Sequence, residues 1–185
     1  MRSYGRALLL LLLVVWTAKF AFARSPEVIA GSFLHRVDLV FHEAGHVLFV
    51  PFGRFMTMLG GSLMQVLVPI VCAVALLKSA SDRVGAAVAV WWAGQNLVDL
   101  APYIGDARAL QLPLLGGATG AEVEGHDWEA ILATLGFLQH DRALAAAAHI
   151  VGSLTMAGAI AVATYFTLDA ARSHGRIVPG DEPGT

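Results

Sequence analysis

The sequence predicts an all-α fold, a polytopic bundle of about five membrane helices with a zinc site between them. Composition, the spacing of apolar runs, and one cluster of ionisable residues inside such a run lead to it. Of the 185 residues 57% are hydrophobic and 14% are charged, with a mean hydropathy of +0.67. Ordinary soluble domains hold about 45–50% apolar and about 25% charged residues, so this balance points to a chain solvated by lipid. The net charge is -2 and the twelve Lys and Arg are scattered, which leaves no basic patch for nucleic acid. Cys72 is the sole cysteine, so an internal disulfide and a cysteine-based zinc site are both excluded.

Residues 1–23 have a basic start at Arg2 and Arg6, an apolar centre and small residues near Ala21-Phe22-Ala23. That pattern fits a signal peptide or a first membrane helix. Residues 24–168 form the expected membrane-embedded domain. Ser25-Pro26-Glu27 gives a cap-like start. The next segment, Val28 to about Pro51, carries His35, Arg36, Asp38, His42, Glu43 and His46. A charged group at the centre of a membrane helix costs roughly 2.5–3.5 kcal/mol, so this concentration demands a reason.

Phe41-His42-Glu43-Ala44-Gly45-His46 supplies one. In a helix His42 and His46 share a face and can reach one metal ion, with Glu43 beside them to act on a bound water. The expected cofactor is Zn²⁺. Asp38, four residues before His42, can hydrogen-bond the imidazole nitrogen that is not on the metal, or pair with Arg36 or His35 instead.

Met56 to Leu77 carries no charge and is long enough to span a bilayer. Its Gly60, Gly61 and Ser62 either let another helix approach closely or form a loop before the helix, and Gln65 wants an internal partner. Val84 to Ile104 is the next span, with Gln95, Asn96 and Asp99 ahead of Pro102, which should kink or end it. Trp91 and Trp92 serve packing or anchor an interface. Gln111 to Asp127 reads as a loop whose last residue can cap a short amphipathic helix through Leu138. Ala143 to Leu168 is a long Ala-rich helix in which His149 is a packed or pore-facing polar residue, and 169–185 is a polar tail expected to be disordered.

Three pieces of the 28–108 stretch, His42-Glu43-Ala44-Gly45-His46, Gly61-Ser62-Leu63-Met64-Gln65 and Asn96 to Asp106, resemble the site-2 protease family of intramembrane zinc metallopeptidases. The middle piece is similar to that family's Gly-Pro-x-x-Asn helix start, with Ser62 for Pro and Gln65 for Asn. The last is similar to its Asn-x-x-Pro segment followed by Leu-Asp-Gly, with Asp99 in place of Pro and Gly105-Asp106-Ala107 at the end. The resemblance implies that His42, His46 and Asp106 bind zinc and that Glu43 is the catalytic base. Asp99 and His126 stay open as alternative third ligands. Asn96, beside the expected helix break, is a candidate clamp for an unwound substrate strand. The reading is therefore a membrane-embedded zinc peptidase that hydrolyses membrane-anchored protein. A non-catalytic peptidase-like metalloprotein or scaffold, and a small transporter or channel component, are the alternatives.

Overall fold

The computed structural model describes residues 3–23 and 25–175. Among the described residues seven α-helices carry the fold, and the sole β pairing is an isolated bridge between Pro113 and Thr119. The helices are α1 (Ser3–Ala21), α2 (Pro26–Ala30), α3 (Phe33–Phe49), α4 (Arg54–Ser79), α5 (Arg83–Gly105), α6 (Asp127–Leu135) and α7 (Asp141–Gly175).

Three stretches are long and apolar enough to cross a membrane: Tyr4–Ala21, Arg54–Ser79 and Leu138–Ser173. The other two expected spans fall short of that standard for identifiable reasons. At 17 residues α3 is brief for a bilayer core of about 30 Å, and it carries the ionisable face. In α5 the apolar length is interrupted by Gln95, Asn96 and Asp99, all buried.

That burial makes α5 the centre of the bundle. It packs most extensively on α7 and then on α4, while α3 lies on α4 and α1 lies on α7. Its many alanines and glycines let neighbours come close, as where Gly94 meets Gly152 of α7. Trp91 stacks on Trp16 and donates to Thr17 Oγ1 at 2.8 Å, tying α1 to the centre. Trp92 packs edge-on to Phe41, so both tryptophans serve packing.

A buried stripe on α4, Gly61, Gln65, Pro69 and Ala73, recurs at helical spacing and faces the bundle. The opposite face, including Leu67, Val71 and Val74, is exposed, as expected for lipid contact. Gly60 and Gly61 thus lie within the helix rather than in a loop before it. Pro102 does not break α5 at once, because the helix runs on to Gly105 and Asp106 takes its C-cap. Helix α7 continues to Gly175, into the expected tail, and residues 176–185 lie outside the described residues. His149 is packed, with Nε2 3.1 Å from the Ala21 carbonyl oxygen.

Candidate metal centre

Helix α3 begins at Ser32, whose hydroxyl accepts from the His35 backbone N–H at 3.0 Å. From that start the 3.6-residue period turns Asp38, His42 and Gly45 inward. At Gly45 the helix crosses α4 so closely that a Cβ there would collide with the Gly60 backbone. The crossing brings the α4 backbone under both motif imidazoles: a Cβ on Gly61 would stand 2.6 Å from His42 Nε2 and 2.7 Å from His46 Nε2.

Each imidazole is fixed through its other nitrogen. His42 Nδ1–H donates to Gln65 Oε1 at 3.0 Å, and His46 Nδ1–H donates to the Thr57 carbonyl oxygen at 2.8 Å. Both Nε2 atoms are thereby aimed at one point. The third group at that point is Asp127, whose Oδ2 lies 3.3 Å from His42 Nε2 and 3.2 Å from His46 Nε2. The three ligand atoms lie within 4.8 Å of one another. Among the described residues this is the one cluster of that kind, and it can hold a metal ion. Two imidazoles and a carboxylate with a position left open is a donor set of the catalytic zinc type.

Asp127 reaches the histidines because it does not cap its own helix. His126 is the N-cap of α6 and accepts the Glu129 backbone N–H on Nδ1 at 3.1 Å, which places Asp127 in the first turn with its carboxylate free. Helix α6 is anchored by Trp128, whose Nε1 donates to Ser62 Oγ at 3.1 Å, and by burial of Ile131 and Leu132. Tyr103 braces the carboxylate from α5: its hydroxyl accepts the Asp127 backbone N–H at 2.9 Å and donates to Oδ2 at 3.3 Å.

The sequence-predicted residues separate here. His42 and His46 come together with Asp127, and Glu43 lines the same cavity of about 420 Å³. Asp106 does not join them. Its two oxygens accept the backbone N–H groups of Gln111 and Leu112 at 3.0 and 2.9 Å, so it organises the turn that leaves α5. His126 Nε2 stands 3.5 Å from Asp106, and its Nδ1 is spent on the cap. Asp99 lines the cavity too, but it accepts from His35 and Gln65 and is not one of the three clustered groups. Asp38 is buried and accepts the Trp92 indole N–H at 2.8 Å, while the His42 nitrogen expected to meet it is taken by Gln65. Asn96 is buried, donates to the Trp92 carbonyl at 2.9 Å, and does not line the cavity.

The cavity is lined by both polar and apolar groups. Leu39 and Leu100 form walls, and Leu114, Leu115 and Val123 of the 106–126 loop close over it. That loop is held by the Asp106 bonds and by Glu122, which accepts from the Thr119 backbone and hydroxyl at 2.9 and 3.1 Å. The chain matches no protein-family profile, no curated protein and no solved structure.

Proposed function

We propose that this chain is a membrane-embedded zinc peptidase, a distant relative of the site-2 proteases, that hydrolyses peptide bonds of membrane-anchored proteins. The observation that carries it is the convergence of His42 Nε2, His46 Nε2 and Asp127 Oδ2 beside Glu43 on one cavity with apolar walls. In this reading Asp127, rather than Asp106, completes the ligand set with the two histidines. In this reading the bundle sits in the bilayer with α5 packed between α4 and α7 and α3 packed on α4, so five helices lie at membrane depth.

A zinc ion bound there supplies Lewis acidity and brings the pKa of a water down to about 7. Glu43 adjoins His42 in the chain and lines the same cavity, where its carboxylate would take a proton from an attacking water and pass it to the leaving amine. Tyr103, buttressed by Asp127, holds the third ligand in place and leaves the cavity side to substrate. Leu39, Leu100 and the loop leucines exclude bulk water and accept an apolar, locally extended substrate segment.

The test pairs elemental analysis of the detergent-purified protein with hydrolysis of a membrane-anchored reporter peptide. Wild type is expected to carry about one zinc per chain and to cleave. Glu43→Gln is expected to keep the zinc and to lose about 10²–10⁴-fold in rate, the usual worth of a general base. An undiminished rate in Glu43→Gln would remove the peptidase reading. Zinc in both proteins with cleavage by neither would make the chain a metal-binding subunit instead.

A further inference from the structure

A line of hydrogen-bonded polar side chains runs from the candidate metal centre along the wall of its cavity: His42, Gln65, Asp99, His35. Its links are all 3.0 Å, from His42 Nδ1 to Gln65 Oε1, from Gln65 Nε2 to Asp99 Oδ2, and from His35 Nδ1 to both Asp99 oxygens. Gln65 and Asp99 are buried, at 3% and 8% exposure, and His35 closes the line at 30% side-chain exposure.

The chemistry of the four groups gives the line one direction. The Asp99 carboxylate has only acceptor atoms, so the Gln65 atom facing it must be the amide NH₂. The Gln65 carbonyl oxygen must then face His42, and it too can only accept. His42 is therefore obliged to carry a proton on Nδ1, so that Nε2, which faces Asp127, is the nitrogen available to a metal ion. His35 supplies the second donor that holds the Asp99 carboxylate in register. The whole orientation follows from Asp99 being acceptor-only.

We infer that Asp99, which touches neither His42 nor the metal position, sets the tautomer of His42 through the Gln65 amide and so prepares it to bind metal. Asp99 and Gln65 are positioning residues. The inference rests on the proposed metal centre and adds to it a cause for the ligand competence of one histidine. His46 is independent of the line, since the Thr57 carbonyl fixes its Nδ1–H.

Competitive chelator titration with Zn²⁺ tests it, on wild type, Asp99→Leu, and the double variant Asp99→Leu with Gln65→Glu. Leucine is close to aspartate in size and has no acceptor, so in the single variant the Gln65 amide is free to turn its NH₂ toward His42. Zinc affinity is expected to fall about 10–100-fold, the usual cost of losing an outer partner of a metal ligand. In the double variant the carboxylate introduced by Gln65→Glu presents an acceptor to His42 whichever way it turns, and affinity is expected to return toward wild type. A merely structural role for Asp99 predicts no such rescue. In the zinc-loaded, ¹⁵N-labelled proteins the His42 Nδ1–H resonance should move in the single variant and return in the double, while that of His46 stays in place and reports an intact fold. If Asp99→Leu does not fold, Gln65→Met carries the same expected loss without touching Asp99. Wild-type affinity in Asp99→Leu or in Gln65→Met, or loss without rescue in the double variant, overturns the inference alone. A wild-type protein that binds no zinc removes the metal centre and the inference together.

Discussion

Asp127→Ala is expected to abolish metal binding, and Asp106→Ala to leave it intact. The two aspartates compete for one role, and their surroundings divide them. Asp127 brings a single oxygen to within 3.3 Å of both imidazole Nε2 atoms, so its removal takes away one of three ligands. The loss should exceed the roughly 10–100-fold that follows when only an outer partner is deleted. Asp106 is spent on the backbone of Gln111 and Leu112. Its replacement takes the acceptor from two part-buried backbone donors and should lower the thermal midpoint through the loop while zinc stoichiometry stays at the wild-type value. Elemental analysis of both variants, with thermal unfolding in the same detergent, decides between them. Zinc retained in Asp127→Ala and lost in Asp106→Ala would reverse the assignment.

The contrast marks where the sequence is readable. His42 and His46 sit four residues apart in one helix, and a helix alone puts them on one face, so their pairing is local information. Gln65 is an uncompensated polar group in an otherwise charge-free span, and the expectation that it has an internal partner follows from the cost of burying it bare. The structure gives it two, His42 and Asp99. Asp127 lies 85 residues from His42, and nothing local reveals that meeting. His126-Asp127-Trp128-Glu129 reads as a capping sequence in either register, and the choice of His126 as the cap is what frees Asp127. A histidine is an uncommon N-cap beside an aspartate, so residue preference points to Asp127 as the cap and away from its place at the cluster. A ligand role for Asp106 is what the resemblance of Gly105-Asp106-Ala107 to the site-2 protease Leu-Asp-Gly implies. A capped turn uses an aspartate in the same place for a different reason. The number of spans is equally non-local, since α5 owes its polar content to burial by α4 and α7 rather than to exposure.

Gly61→Ala and Gly45→Ala are expected to fail in opposite ways, although the two glycines lie on the same helix crossing. At Gly61 the new methyl would meet ring atoms of His42 and His46, 2.6–2.7 Å away, in the space between the Nε2 atoms and the α4 backbone. Those rings are tethered by Gln65 and by the Thr57 carbonyl, so they can yield only by giving up their aim. Metal affinity should collapse. The helices themselves need move little, and the stability cost should stay near the roughly 1–3 kcal/mol typical of one added methyl in a packed interior. At Gly45 the methyl would meet the Gly60 backbone carbonyl itself, which has no rotamer to change. Here α3 and α4 must separate, every contact along their crossing weakens, and the destabilisation should pass the upper end of that range. Measured together, thermal midpoint and zinc stoichiometry should show Gly61→Ala as a folded protein without metal and Gly45→Ala as a poorly folded one. Full zinc binding by Gly61→Ala would mean that an ion does not bind between these two histidines, because the space they share would then be filled by carbon.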